Sequence, residues 1–397
     1  MRDAVIVEAV RTPLAKGKPG GAYSEVHPVD LHAHVLTSLV ERVDGLDPAE
    51  IDDVIGGAVG QVGEQSTNTT RMAVLAAGFP ESVPAVTVDR QCGSSQQALS
   101  FVAQGVVAGA YDIAIASGVE SMSRVPIGSS QAGQDFAGPT VGARYGGLVP
   151  QGVSAELIAR TWGLTREQLD EFAYDSHRKA AEAWRQGWFD REVAPLKVTH
   201  ADGTVTALDT DETIRPGTTT EALAGLRTPF AEEHWEERFG PIDWKVTAGS
   251  SSPYNDGSAA LLVTTSEMAR SRGWTPRARI HTATVAADDP LLMLTGIMPA
   301  TAKVLSRAGL TIDDIDAFEV NEAFSPVVLA WLAETGADPA RVNVHGGAIS
   351  IGHPLGASGA RLATTLLGVL ERTGGRYGLQ TMCEAGGTAN ATIIERI

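Results

Sequence analysis

The chain has two cysteines among its 397 residues, and each stands where a strand-like run ends. Cys92 lies in PAVTVDRQCGSSQQALSFV, between the β-branched run Val86-Thr87-Val88 and small, amphipathic residues suited to a helix. A cysteine inside a fold is most often a small hydrophobe. At a helix start, however, free backbone N–H groups and the positive end of the dipole favour the thiolate, so a lowered pKa is expected for Cys92. Gly93, Ser94 and Ser95 leave its approach unhindered. The second half of the chain supplies polar partners. Cys383 closes a strand in QTMCEAGG, and Asn321 and Glu322 follow another in EVNEAF. His353 falls in the glycine-rich loop GGAISIGHPLGASG, directly before Pro354, which restricts the backbone there. Polar groups at strand ends are where α/β folds build their sites.

The elements that must position these residues alternate between strand and helix at both ends of the chain, the pattern of an α/β fold with buried sheets. DAVIVEAV, DDVIGGAVG and DIAIASGVESM read as strands; HPVDLHAHVLTSLVERV and TNTTRMAVLAAG read as helices. The order returns near the C-terminus. GLTIDDIDAFEVNEAF echoes GLDPAEIDDVIGGAV, the stretch around His353 echoes the stretch around Cys92, and RYGLQTMCEAGGTANATII echoes YDIAIASGVESM. Three blocks in one order indicate a duplicated half. The expected division is a first half over 1–122, completed by 246–273, and a second half over 274–397. Residues 123–245 differ: a glycine-rich polar stretch gives way to helices, one with Thr165 as N-cap. They are expected to form an inserted subdomain laid over one surface.

Composition narrows the partners. A formal net charge of −17 disfavours nucleic acid and anionic membranes, so an anionic substrate would need a local basic patch. No stretch approaches the ~18 apolar residues of a membrane span. The N-terminal residues do not read as an export signal, and with few cysteines a cytoplasmic location is expected. Neither metal-ligand spacing nor a nucleotide-phosphate loop occurs.

DRQCGSSQQAL, TAGSSSPYNDGSAA, VNEAFSPV, GGAISIGHPLGASGARL and TMCEAGG stand in an order and at distances that resemble the thiolases, acyltransferases that make or break a β-ketoacyl-CoA. The likeness spans essentially the whole chain. It implies duplicated βαβαβαββ halves in an α/β/α/β/α layered core. It implies that Cys92 carries the acyl group as a thioester, that His353 takes its proton, and that Cys383 is the second acid–base group. One oxyanion hole would comprise His353 and a water held by Asn321, the other the backbone N–H groups of Cys92 and Ala385. Ser252 would contact the pantetheine arm of CoA and Arg215 its nucleotide end; Gln151 and Met293 would line the acyl pocket. CoA and acetyl-CoA enter as substrates, with no permanently bound cofactor, and the family implies a homo-oligomer, dimer or tetramer.

Some positions depart from the family pattern. Ala385 replaces a usual glycine and would be strained at positive φ. His345 stands where asparagine is usual, and Ser325 where alanine is usual. Pro150-Gln151-Gly152 replaces the His-Met-Gly of short-chain biosynthetic members, and the wording near both cysteines is closer to degradative members, steroid breakdown included. An acetoacetyl-CoA-specific enzyme is the alternative, and a non-catalytic acyl-CoA or lipid binder a remoter one. A decarboxylating ketosynthase would use one cysteine with two histidines, and Cys383 and NEAF speak against it.

Overall fold

The apolar runs pair into a ten-stranded sheet in a computed structural model of the protein, which describes residues 2–200 and 202–397. In chain order the strands are β1 (Val5–Arg11), β2 (Ala15–Lys16), β3 (Asp53–Gly57), β4 (Ala85–Val88), β5 (Ile113–Ser121), β6 (Leu196–Thr199), β7 (Val205–Leu208), β8 (Asn255–Thr264), β9 (Ala278–Ala287), β10 (Ala317–Val320), β11 (Tyr377–Cys383) and β12 (Thr388–Arg396). The order across the sheet is β10-β11-β12-β9-β1-β8-β5-β3-β4, with β2 on β8; β6 and β7 form a separate ribbon.

Pairing directions reveal the duplication. In the first half β3 runs parallel to β4 and β5, β5 antiparallel to β8, and β8 antiparallel to β1. In the second half β10 runs parallel to β11, β11 antiparallel to β12, and β12 antiparallel to β9. The counterpart of β4 shrinks to a single parallel bridge between Phe318 and Val342. The two halves join edge to edge through Val5–Arg279 and Ile6–Ala278, so the duplicated sheets are continuous, a join the sequence does not reveal.

Both faces of each half-sheet are covered, which is why the strands read as unbroken apolar runs rather than as alternating ones. Alternate residues serve different layers. Ala116 and Leu261 face the middle layer, where helix Ser94–Ala108 (Leu99, Val102) meets helix Ser358–Thr373 (Leu366, Leu370). Ile115 and Leu262 face helices Pro28–Glu41 and Thr69–Ala76. On the other half, Phe318 and Leu379 lie under helices Ile297–Ala308 and Ser325–Thr335, with Trp331 wholly buried. Each such leucine contributes about 1.5–3 kcal/mol of burial. The five-layer arrangement expected of the chain is thus present. At the middle seam the backbones come very close: a Cβ on Gly359 would lie 2.2 Å from the Gln96 nitrogen.

Residues 123–245 contribute helices Gly138–Tyr145, Gln151–Thr161, Arg166–Arg185, Thr220–Ala224 and Glu233–Phe239, and the β6–β7 ribbon. Thr165 caps its helix in a full capping box with Gln168. Ser325 ties this region to the second half by donating to the Leu169 carbonyl at 3.0 Å.

Candidate active site

Strand β4 ends at Val88, and the chain turns sharply before helix Ser94–Ala108. Asp89 accepts from the Gln91 N–H at 2.7 Å; Ser94 Oγ accepts from the Arg90 N–H at 2.9 Å and donates to the Gln91 carbonyl at 2.6 Å. These bonds hold Gln91 at φ +49°, a left-handed conformation that costs a non-glycine residue strain and that concentrates at functional sites. Cys92 follows, buried among Met122, Leu355, Leu362 and Met382. A Cβ at Gly93 would lie 1.9 Å from Glu384 Oε1, so a larger residue there would displace that carboxyl group. The lowered pKa expected for Cys92 is corrected by this burial. Loss of solvent pushes the thiol well above the ordinary range, and the neighbouring Cys383 and Glu384 push it further. The helix start is outweighed, so a base must remove the proton.

His353 sits on a backbone only glycine could precede. Gly352 has φ +126°, and a Cβ on it would lie 2.6 Å from the Asn255 carboxamide. That carboxamide accepts from the His353 N–H at 2.9 Å and donates to the Ala15 carbonyl at 2.8 Å. His353 Nδ1 pairs with Ser358 Oγ at 2.7 Å, while the buried Nε2 has no hydrogen-bond partner among the described residues. Burial, and then the charge of Arg361, lower its pKa to about 3, so the imidazole rests neutral. Glu120 anchors the same loop, accepting from the N–H groups of Gly356 (2.8 Å), Val59 (3.0 Å) and Gly60 (2.9 Å). Leu355, two residues beyond His353, shares the apolar cluster of Cys92.

Cys383 ends β11, wholly buried. Burial, then Glu384, raises its pKa to about 12. Asn321 follows β10, and both its amide atoms are buried without a hydrogen-bond partner among the described residues. Glu322 accepts from Ser176 Oγ (2.7 Å), Asn343 Nδ2 (2.9 Å) and the Ile349 N–H (3.1 Å), pinning the Gly346–Gly352 segment beside it. Glu384 binds Thr388 Oγ1 at 2.7 Å, with the Asn390 amide nitrogen 2.8 Å from Oε1, and burial raises its pKa to about 8. Ala385 lies outside the left-handed region. Gly386 (φ +83°) and Gly387 (φ +86°) carry the turn, so alanine offers its N–H unstrained.

The remaining sequence candidates divide. Ser252 is stitched to the Asn321 loop, its N–H donating to the Ala323 carbonyl at 3.0 Å. Met293 packs in the cluster that holds Cys383 and Phe324, at the strained φ +49°, ψ −51°. Gln151 opens helix Gln151–Thr161; beside it Gly152 leaves room for the Phe230 ring, which meets Phe324 edge-on at 6.1 Å. Arg215 lies apart, in a cavity of about 560 Å³ with Tyr174, His177 and Trp184, whose lining includes none of the cysteines, His353 or Asn321. Sequence reasoning missed Glu120, Asn255, Ser358 and Phe230. The glutamate inside the apolar strand run IAIASGVES was the available signal; the asparagine of SPYNDG stands in a polar stretch that offers none.

Two free, buried thiols, the second raising the pKa of the first, with a neutral imidazole and an unpartnered amide form a site suited to moving an acyl group between sulfur and carbon. The family description for the thiolase N-terminal domain matches residues 4–267, and that for the thiolase C-terminal domain residues 274–396. The chain belongs to the thiolase family. It is an acyltransferase. It is 48% identical over 406 residues to the steroid 3-ketoacyl-CoA thiolase FadA6 of Mycobacterium tuberculosis, covering 100% of this chain and 95% of that one. To the 3-ketoacyl-CoA thiolase of Aeromonas hydrophila it is 43% identical over 400 residues, covering all of both. The crystal structure of the Bacillus anthracis acetyl-CoA acetyltransferase superposes with a TM-score of 0.89 at 36% identity, over 100% of this chain and 99% of that one.

Proposed function

We propose that the protein cleaves a 3-ketoacyl-CoA with free CoA to acetyl-CoA and a shortened acyl-CoA, through an acyl thioester on Cys92. The observation that carries this reading is the pair of free, buried thiols, Cys92 and Cys383, with the unpaired Nε2 of buried His353. His353 Nε2 accepts the Cys92 proton as sulfur attacks the 3-keto carbon. The bond between C2 and C3 breaks, its electron pair forming the acetyl-CoA enolate, and the Cys383 thiol protonates C2. The CoA thiol then gives its proton to the Cys383 thiolate as its sulfur attacks the Cys92 thioester, and His353 returns its proton to the departing Cys92 sulfur, which restores all three groups. Because both thiols and the imidazole rest neutral, attack is coupled to proton transfer rather than preceded by it.

The Cys92 and Ala385 N–H groups hold the oxygen of the tetrahedral adducts. His353 Nε2–H and a water on Asn321 hold the enolate oxygen. The two orphaned amide atoms of Asn321 support that water, because a buried polar group without a partner costs about 1–3 kcal/mol. Ser252 contacts the pantetheine arm and Arg215 the nucleotide phosphates; Gln151 and Met293, with Phe230, bound the acyl group, and residues 123–245 cover the site. The acyl group is bulky and steroid-derived. The 48% identity to a protein named a steroid thiolase supports that choice. Free thiols suit a reducing cytoplasm. The protein works as a homodimer, through the open edge of β4. Exposed Val86 lies on that strand, with Met72, Leu75 and Phe101 on the two helices beside it.

The test is turnover, with free CoA, on a panel from acetoacetyl-CoA to steroid-derived 3-ketoacyl-CoAs. The expected result is the highest kcat/KM on the steroid esters, lost in Cys92→Ala. Preference for acetoacetyl-CoA would overturn the substrate, and cleavage by Cys92→Ala would overturn the mechanism.

A further inference from the structure

Ser358 touches none of the groups assigned a chemical step except His353, yet it governs which imidazole nitrogen is free. Its hydroxyl opens helix Ser358–Thr373 and is wholly buried. Two polar groups compete for it. The Pro354 carbonyl lies 2.8 Å from Oγ, positioned to accept, and His353 Nδ1 lies 2.7 Å away. A serine hydroxyl has one proton to give and lone pairs to receive. If that proton goes to Pro354, Oγ can accept from Nδ1–H, and both contacts are hydrogen bonds. Were it turned to Nδ1 instead, the contact with Pro354 would be lost. The imidazole would then carry its proton on Nε2, a buried nitrogen with no acceptor among the described residues. An unsatisfied buried donor is costly, so the first arrangement is the stable one. The backbone that carries the ring is fixed, its N–H tied to Asn255 at 2.9 Å and Gly352 packed against the same carboxamide.

We propose that Ser358 is a positioning residue that locks His353 as the Nδ1–H tautomer, leaving Nε2 as the free base. The chain Nδ1–H···Oγ–H···O=C of Pro354 is closed within six residues, 353–358, so the tautomer is set by the loop itself and needs no carboxylate. This deepens the reading of His353 as the proton acceptor and rests on it for its catalytic meaning. The tautomer itself stands independently of any activity.

The experiment is ¹⁵N NMR of histidine-labelled wild-type protein at neutral pH, with His353 assigned by its loss in His353→Asn. The expected spectrum has His353 Nδ1 protonated and Nε2 unprotonated. Ser358→Ala should lose that bias and show Nε2–H. Where that variant keeps the wild-type far-UV and near-UV circular dichroism, acylation of Cys92 by an acyl-CoA should slow about ten- to a hundredfold, the range for losing the group that orients a working imidazole. Ser358→Thr, which keeps the hydroxyl, should restore the Nδ1–H signal. Nε2–H in the wild type overturns the proposal, as does an unchanged tautomer in a folded Ser358→Ala. The wild-type spectrum decides even if the alanine variant does not fold. Absence of thiolysis alongside Nδ1–H would sink the proposed function and leave the tautomer standing.

Discussion

Glu384 raises both thiols: after burial it is the main influence on Cys383, and it follows Cys383 itself in its effect on Cys92. Its own pKa, raised to about 8, leaves it protonated at neutral pH and charged above that value. Charged, it opposes both thiolates. Burial already disfavours the Cys92 thiolate at neutral pH, so iodoacetamide should label Cys92 in the resting protein more slowly there than a free thiol, the reverse of what a helix start alone would give. Glu384→Gln removes the opposing charge and should speed that labelling above pH 8, by up to about tenfold for each unit the thiol falls. Labelling that is fast at pH 7, or indifferent to Glu384, would contradict the electrostatics. The candidates Cys92, Cys383 and Asn321 stood out in the sequence because each follows a strand-like run, and His353 because it falls in a glycine-rich loop. The sign of the Cys92 shift was not, since burial depends on Met122 and Leu355, which are distant in sequence.

Elements meet around His345, for which the resemblance supplied no role. Its ring stacks on Trp188 with centroids 4.9 Å apart and meets Phe189 edge-on at 5.5 Å, just past the helix that ends at Arg185. Arg372, in the last turn of helix Ser358–Thr373, donates to its Nε2 at 3.1 Å. Burial and then Arg372 lower its pKa to about 3. Between pH 3 and 6.5 the folded chain consequently binds fewer protons here than the unfolded chain. Stability from this group is complete above pH 6.5 and is lost as pH falls, at no more than about 1.4 kcal/mol per pH unit. His345→Asn should flatten that acid limb, measured as Tm between pH 6.5 and 4.5; an equal fall in both proteins would contradict it. Such joints were illegible for a physical reason. Glu120 binds Val59 and Gly60 some sixty positions back and Gly356 far ahead, and no local pattern encodes a partner at that range. The duplicated strands, by contrast, repeat local periodicity and were readable.

At the scale of the whole molecule, the sheet ends at β4, whose outer edge pairs with no described strand. The same short strand leads into the turn that carries Cys92, so a partner strand on that edge would brace the nucleophile's elbow. Val86→Arg should convert a dimer to monomer in light scattering coupled to size exclusion, with loss of thiolysis. A monomeric wild type would remove that interface. The central claim is that two sulfurs divide one reaction, and acyl-enzyme trapping tests it most directly. Wild type and Cys383→Ala are mixed with an acyl-CoA and with its 3-ketoacyl-CoA homologue, quenched in acid, and digested for mass spectrometry. The account predicts the acyl mass on the Cys92 peptide of both proteins from the acyl-CoA. From the 3-ketoacyl-CoA it predicts acyl-Cys92 in the wild type alone. An acyl group on any other residue, or cleavage at the wild-type rate without Cys383, would contradict it.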